Sequence, residues 1–239
     1  VDSTALPEQV VDDVSSSAFG SAGQRCSALR LLCLQADNAD RILEMLEGAM
    51  DTLLVGDPHD LTTDVGPVIT ASAATDLERH IEQMCQRGRL RKRVVISSNT
   101  GSVPKDRFVT PALIEIDSIS MLDREAFGPI LHVLRYRTDD LPQLLDGLRA
   151  NGYGLTLGIQ TRLDGTRRAL FEGTLAGNVY VNRNMIGAVV GVQPFGGTGL
   201  SGTGPKAGGP HYLNRFTTER VLTVNTTATG GNTALLSLD

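Results

Sequence analysis

The sequence has few of the residues on which disulfide-bonded and metal-binding proteins depend. Its 239 residues include three cysteines and no tryptophan, and the aromatic share is only 4%. Cys26, Cys33 and Cys85 show no C-x-x-C spacing and leave an odd thiol in any pairing, which argues against a disulfide framework and favours a reducing, cytoplasmic compartment. Four clustered cysteine and histidine ligands cannot be assembled from neighbouring pairs, so we expect no metal site.

An excess of positive charge and a long apolar run are also missing. The formal net charge is −5, so no sequence-wide positive field would attract nucleic acid, and we expect no such partner. No run of about 18 apolar residues occurs, so we expect no membrane span. The densest basic cluster, residues 87–93, is expected at a helix end, where cations complement the helix dipole. Hydrophobic residues make up 41% of the chain, which is long enough for a full core.

Helix-like and strand-like segments alternate along the chain. Apolar residues at helical spacing predict helices over residues 7–18, 40–54, 70–88, 139–150 and 164–171. Apolar or β-branched runs predict strands over residues 28–34, 94–97, 108–116, 130–136, 155–160 and 178–181. This alternation predicts an α/β fold with a mainly parallel sheet flanked by helices. An exposed strand is expected over residues 216–225, before a tail rich in threonine and glycine.

A glycine-rich stretch lies late in the sequence. Residues 197–202 fit the dinucleotide fingerprint G-x-G-x-x-G, but Pro194 precedes them and Pro205 follows, which blocks the helix that the fingerprint requires. We therefore interpret this match as a decoy. The glycines from Gly187 to Gly209 predict a long loop whose N–H groups could face one anion, with a plain irregular crossover as the alternative.

Cys26 lies in a turn of small residues, Phe19-Gly20-Ser21-Ala22-Gly23-Gln24-Arg25-Cys26-Ser27, between a helical pattern and a strand-like run. A cationic neighbour or free backbone N–H groups favour the thiolate, which is the nucleophilic form of cysteine. An isolated cysteine is, however, often a small buried hydrophobe. The residues alone leave both interpretations open for Cys26, whereas Cys33 and Cys85 lie on predicted core faces.

Three segments in this order carry a family resemblance. They are Gly23-Gln24-Arg25-Cys26, Glu125-x-Phe127-Gly128-Pro129, and Pro194-Phe195-Gly196-Gly197 with Ser201-Gly202. Together they resemble the aldehyde dehydrogenase superfamily, and the resemblance covers essentially the whole chain. Within it, residues 19–27, 187–191 and 204–210 are most similar to the L-glutamate γ-semialdehyde (Δ1-pyrroline-5-carboxylate) dehydrogenases. The tail at 224–228 and 230–232 resembles bifunctional, proline-catabolic members.

The resemblance implies a catalytic role for Cys26 and a cofactor role for two later residues. The Cys26 thiolate would attack an aldehyde carbon, hydride would pass to NAD+, and water would release the acid from a thioester. Glu125 would hydrogen-bond the ribose beside the nicotinamide, and Phe127 would pack near that ring. Without the resemblance, a surface glutamate at a strand end and a core phenylalanine are the preferred interpretations.

The substrate implied is a small-molecule semialdehyde with its own carboxylate. Small residues offer donors without steric bulk, so the Ser27 hydroxyl and the N–H groups of Gly187 and Ala188 are the expected anchors. The Phe195 side chain would pack against the aliphatic part of the substrate. Ser27 could equally cap a following turn.

The resemblance also predicts the domain organisation. Residues 1–212 would form the thiol-bearing catalytic domain, and residues 213–239 a C-terminal strand and tail that could join subunits into a homo-oligomer. The NAD-binding domain, with the general base and an oxyanion asparagine, would lie upstream, so this chain alone is expected to be inactive. Two alternatives remain: a dehydrogenase for another semialdehyde such as succinate semialdehyde, or a non-catalytic folded or oligomerising module.

Overall fold

A four-stranded sheet forms the centre of the computed structural model, which describes residues 1–96, 100–225 and 228. The strand order is β1-β4-β3-β2, with β1 and β3 parallel to β4 and β2 antiparallel to β3. These strands are β1 Leu31–Gln35, β2 Arg89–Arg93, β3 Ala112–Ile116 and β4 Ile130–Tyr136. The prediction of a mainly parallel sheet is therefore confirmed.

Five helices accompany the strands, and all five predicted helices are present. They are α1 Pro7–Phe19, α2 Ala36–Asp51, α3 Ala71–Arg87, α4 Leu141–Asn151 and α5 Asp164–Gly173. Pro7 begins α1, where its missing N–H is not needed. The Thr70 hydroxyl caps α3 by accepting from the Ala73 N–H, and Gly152 ends α4 in a left-handed conformation.

The core lies around β4 and both of its neighbours. Three residues close together on β4 are fully buried: Ile130, Leu131 and Val133. Consecutive buried residues on one strand mean that both faces of the sheet are covered, as expected for parallel strands. The apolar faces of α1, α2 and α3 belong to the same core.

The basic cluster corrects one prediction. Residues 89–93 form the edge strand β2 and do not solvate a helix end, while the predicted strand at 94–97 is not formed over residues 94–96 (Ser97 lies outside the described residues). Arg91 donates to Glu47 at 2.6 Å and to Glu115 at 3.0 Å. Ion pairs of this kind neutralise the arginines, so a charged segment can extend the sheet.

Smaller elements follow the central sheet. Strand β6 (Thr156–Ile159) pairs in parallel with β7 (Asn178–Val181), and β5 (Tyr153–Gly154) pairs with β8 (Thr198–Gly199). No helix in the described part of the chain is long and apolar enough to cross a bilayer.

The expected strand at 216–225 is wrong for the residues that the structure describes. Leu213–Phe216 is a single 3-10 turn, and residues 217–225 are exposed and belong to no β-ladder. The Thr217 N–H donates back to the Asn214 carbonyl oxygen at 3.4 Å, which closes this turn. The tail residues 226–227 and 229–239 lie outside the described residues.

Candidate active site

The segments that carry Cys26 and Glu125 meet at the amino ends of adjacent parallel strands. Cys26 lies five residues before Leu31, the first residue of β1, and Glu125 lies five residues before Ile130, the first of β4. Leu31 is in register with His132 of β4. Parallel pairing therefore brings both motifs to the same edge of the sheet.

The turn that carries Cys26 has an unusual backbone. Ser21, Ala22 and Gly23 have φ values of 55°, 53° and 63°, three consecutive residues in the left-handed region. This conformation is unfavourable for residues with a Cβ and persists only where the surroundings enforce it, as they often do at functional sites. Cys26 is exposed, whereas Cys33 and Cys85 are partly buried against the core. Its exposure favours the nucleophile interpretation over the buried-hydrophobe one.

Gly23 and Gly128 bring the two motifs into backbone contact. A Cβ built on Gly23 would lie 2.1 Å from the carbonyl oxygen of Gly128, so no larger residue fits. A Cβ on Gly128 would in turn lie 2.5 Å from the Leu77 side chain of α3. The glycines of both motifs are thus explained by close approach.

Arg30, which the sequence interpretation missed, joins the same two motifs through their carbonyls. Its side chain is 16% exposed. Its Nη atoms donate to three backbone oxygens, those of Gly23 at 2.5 Å, Gly128 at 3.2 Å and Arg25 at 3.2 Å. The only sequence signal was a single arginine inside an otherwise apolar run, where a charge needs partners.

The Arg30 guanidinium also holds both side chains predicted to contact the cofactor. Its Nε donates to Glu125 Oε1 at 3.3 Å, and its Cζ lies 4.5 Å from the centre of the Phe127 ring. Burial lowers the pKa of Arg30, and the neighbouring Glu125 carboxylate opposes that effect.

Two histidines lie behind Arg30. The Nε2 atoms of His80 and His132 are 3.0 Å apart, and both residues are 3% exposed. His132 Nδ1 is 3.2 Å from the Arg30 carbonyl oxygen, which can only accept, so we assign the His132 proton to Nδ1. Burial, together with the neighbouring His80, lowers the pKa of His132 to about 4.

A cavity of about 320 Å³ opens in front of Cys26. Glu125 and Arg30 line it on the side of the central sheet, and Thr156 lines it at the start of β6. Ser201 of the late glycine region borders the same cavity. The cavity therefore brings together the turn that carries Cys26, the segment that carries Glu125 and part of the late glycine loop.

The remaining predicted site residues lie less directly at this cavity. Ser27 is 5% exposed, and neither it nor Phe195 is among the residues that line the cavity. Phe195 pairs with Ala207 through two backbone hydrogen bonds of 3.0 Å. Gly187 is exposed with a φ of 81°, and Ala188 is half-buried. Their roles in substrate binding stay predictions.

The segment before Gly187 nevertheless lies beside the nucleophile turn. The Met185 N–H donates to Ser17 Oγ of α1 at 3.2 Å. A Cβ built on Gly20 would lie 3.8 Å from Ile186 Cδ1. Residues 185 and 186, just before Gly187, thus lie beside the turn that carries Cys26, although among the described residues no hydrogen bond joins Gly187 to Cys26.

The fingerprint-like stretch at 197–202 has a packing role. A Cβ on Gly197 would lie 2.7 Å from the Gly154 carbonyl oxygen, and the Gly154 N–H donates to Ser201 Oγ at 3.0 Å. No helix begins within these residues or directly after them. The glycines here allow β5 and β8 to approach, which agrees with the decoy interpretation.

Comparison with known proteins decides the family. A model of the aldehyde dehydrogenase family matches residues 1–222. The chain belongs to the aldehyde dehydrogenase family. It is 55% identical over 222 residues to the bifunctional protein PutA of Escherichia coli (strain K12), which is 92% of this chain and 17% of that protein.

Solved structures of this family have the same fold. A crystal structure of a Bradyrhizobium japonicum proline utilization A (PutA) mutant gives a TM-score of 0.87 at 55% identity, over 95% of this chain and 23% of that one. A structure of 1-pyrroline-5-carboxylate dehydrogenase from Thermus with bound NAD gives a TM-score of 0.80 at 32% identity, over 90% and 40%. The chain thus spans 17–40% of the length of these relatives.

Proposed function

We propose that this chain supplies the thiol-bearing part of an NAD-dependent dehydrogenase that oxidises L-glutamate γ-semialdehyde to L-glutamate in proline catabolism. One observation carries the proposal: exposed Cys26 and Glu125 open into a single cavity. The printed names of the family relatives, PutA and 1-pyrroline-5-carboxylate dehydrogenase, support the substrate class.

Cys26 performs the covalent chemistry. Its thiolate forms a C–S bond to the aldehyde carbon while the carbonyl π electrons move to the oxygen, which gives a thiohemiacetal on Cys26. The Cys26 backbone N–H is the donor that this chain offers to the resulting oxyanion. After the carbon has lost hydride, the sulfur holds the acyl group as a thioester. Water then breaks the C–S bond, releases the carboxylate and regenerates the thiol.

NAD+, when bound, supplies the hydride acceptor for this reaction. The residues present fit such a cofactor: among the described residues only Oε1 of Glu125 is hydrogen-bonded, so Oε2 is left for a ribose hydroxyl. The Phe127 side chain is 44% exposed and offers a ring face to the nicotinamide. We assign most contacts to the rest of the dinucleotide to residues outside this sequence, since residues 197–202 begin no helix.

The substrate's carboxylate is assigned to Ser27, Gly187 and Ala188, and its aliphatic part to Phe195. The positive φ of Gly187 supports this assignment, as does the position of the adjoining residues 185 and 186 beside the turn that carries Cys26. Residues 213–239 are assigned to subunit association, which the exposure of Val221 and Leu222 supports. Free cysteines suit a reducing compartment such as the cytoplasm.

Activity assays on the full-length protein test the proposal. Wild-type protein should form NADH with L-glutamate γ-semialdehyde more efficiently than with succinate semialdehyde. Cys26→Ala should abolish this activity, and the matched variant Cys33→Ala should retain it. A Cys26→Ala enzyme with wild-type turnover would contradict the proposal. A preference for succinate semialdehyde would show that the assigned substrate is wrong.

Thiol labelling tests the nucleophile separately. Burial raises the pKa of Cys33 to about 11, so this thiol should react slowly with iodoacetamide at neutral pH. Exposed Cys26 should be labelled first, followed by half-buried Cys85. Equal and slow labelling of all three thiols would favour a non-catalytic folded module.

A further inference from the structure

The Arg30 side chain makes several hydrogen bonds that β1, the strand directly after it, does not need in order to form. It directly precedes β1, in the run Ala28-Leu29-Arg30-Leu31-Leu32, with a side chain that is 16% exposed. A buried cation at such a position is costly unless several acceptors compensate it. The acceptors here belong to two segments that are far apart in sequence. Gly23 lies 7 residues before Arg30, and Gly128 lies 98 residues after it.

The two segments need a cation between them. Gly23 and Gly128 approach so closely that the position of a Gly23 Cβ is 2.1 Å from the Gly128 oxygen. Both of their carbonyl oxygens accept from the same atom, Nη1 of Arg30. Two carbonyl dipoles that converge on one point repel each other, so the shared donor stabilises the junction of the nucleophile turn with the glutamate motif.

The same guanidinium fixes both side chains of the motif that face it. Its Nε donates to one oxygen of Glu125, and its Cζ lies over the Phe127 ring, 4.5 Å from the ring centre. The backbone of Arg30 is held as well, because its carbonyl accepts from the His132 N–H at 3.0 Å. Arg30 therefore cannot relax toward one partner without releasing another.

We propose that Arg30 is a positioning residue: it sets the Glu125 carboxylate and the Phe127 ring at a fixed distance from the Cys26 turn, so that cofactor and thiol face the same cavity. This inference rests on the proposed function for its kinetic consequence. Its consequence for Cys26 reactivity does not depend on that function.

Lysine cannot replace this arrangement. Its ammonium is a point charge with three donors on a flexible stem, whereas the Arg30 fork donates in one plane to four oxygens and stacks on a ring. Arg30→Lys keeps the charge but loses the geometry, and Arg30→Met loses both. Graded effects of the two variants therefore separate charge from position.

Arg91 provides a matched control. Its side chain is 15% exposed and donates to Glu47 and Glu115, so it resembles Arg30 in burial and in pairing with carboxylates. It lies on edge strand β2, and it is not among the residues that line the cavity. Arg91→Lys should lower the thermal midpoint as much as Arg30→Lys does, without affecting the site.

The experiment compares Arg30→Lys, Arg30→Met and Arg91→Lys in the full-length protein. Misplacement of a site by about an ångström can change rates by roughly 100-fold, so we expect Arg30→Lys to raise KM for NAD+ by about tenfold, with a smaller change in KM for the aldehyde. The rate of Cys26 alkylation by iodoacetamide should also fall in both Arg30 variants, most in Arg30→Met, and stay at the wild-type value in Arg91→Lys.

Two results would overturn the inference: unchanged NAD+ KM and unchanged Cys26 alkylation in folded Arg30→Lys, or equal changes in Arg91→Lys. Alkylation requires no turnover. A protein that oxidises no semialdehyde, but whose Cys26 labelling depends on Arg30, would therefore contradict the proposed function and retain the positioning role. An Arg30→Lys protein that oxidises the semialdehyde as well as wild type does would contradict the positioning role and leave the proposed function intact.

Discussion

The two glycine-rich segments associated with the cavity differ in why they contain glycine. In the nucleophile turn, Gly23 is buried and its missing Cβ makes room for the backbone of the glutamate motif. In the late loop, Gly187 and Gly191 both have a φ of 81° with nothing within 4 Å of an added Cβ. The first segment is shaped by contact with its neighbours, whereas the late loop around Gly187 and Gly191 is shaped by backbone torsion. Gly197 and Gly202, further along the same loop, are again held by close contacts.

This difference separates the rigid side of the site from its adaptable side. A segment held by contact keeps its shape because any change displaces a neighbour. A loop with open space around its glycines can adjust its torsions without moving other residues. We therefore expect the sheet side to fix the reacting groups and the loop side to accommodate the substrate, and three predictions test that division.

The largest effect is expected from Gly23→Ala. The new methyl would overlap the Gly128 carbonyl and would also occupy a φ of 63°, so the free energy of unfolding should fall by about 3 kcal/mol or more. Urea denaturation measures this change. Gly48→Ala is the control: Gly48 lies within α2, and an added Cβ would meet no atom from outside its own helical turn within 4 Å, so this variant should be more stable by about 0.5–1 kcal/mol. A Gly23→Ala protein as stable as wild type would remove the basis of the comparison.

An intermediate effect is expected from pH, through His132 on the sheet side. Its pKa is about 4 in the fold and 6.5 when exposed, so the unfolded chain binds more protons between these values. Stability from this group is complete above about pH 6.5, and roughly 3 kcal/mol of it is lost as the pH falls to about 4. Denaturation at several pH values should show this loss.

Two variants assign the pH effect. His132→Asn should flatten the dependence between pH 6.5 and 4, although His80, whose pKa burial also lowers, leaves a residual slope. Exposed His211→Asn is the matched control for the loss of an imidazole side chain. A His132→Asn protein with the full slope would mean that other groups cause it.

The smallest effect is expected from Gly187→Ala on the loop side. The alanine would meet no neighbouring atom, so only the left-handed torsion opposes it, at about 1 kcal/mol. Loss of stability should therefore be about a third or less of that in Gly23→Ala, with any change in the enzyme confined to KM for the aldehyde. Equal destabilisation by the two substitutions would show that the loop is as constrained as the turn.

Much of the fold could be predicted because apolar runs mark buried strands clearly. The strands at 130–136 and 178–181 were predicted with the ends that the structure shows. Strand β2 was missed because its residues are mostly cations, and nothing in the sequence indicates that Glu47 and Glu115 would neutralise Arg91. Hydrophobic periodicity indicates only which residues are buried by apolar packing. It cannot identify a strand whose arginines join the sheet through ion pairs.

The site was predictable in its motifs and unpredictable in what joins them. Cys26 and Glu125 stand in short segments with recognisable turn chemistry. Arg30 stands in a strand-like run and gains its meaning only from parallel pairing of β1 with β4, which is a long-range property. For Ser27 the sequence suggested a role but not the surroundings. Its hydroxyl suits an anchor for the substrate's carboxylate, but its exposure of only 5% depends on the packing around it.

Strand β2 has a further consequence for how copies of this protein behave at high concentration. It lies at one edge of the central sheet and carries four cations in five residues, Arg89-Leu90-Arg91-Lys92-Arg93. A second copy that tried to add its own β2 to that open edge would have to fit these long charged side chains and their ion pairs against an identical set. We expect this crowding of charged groups to disfavour fibril-like stacking through that edge, a safeguard that an apolar border strand would lack.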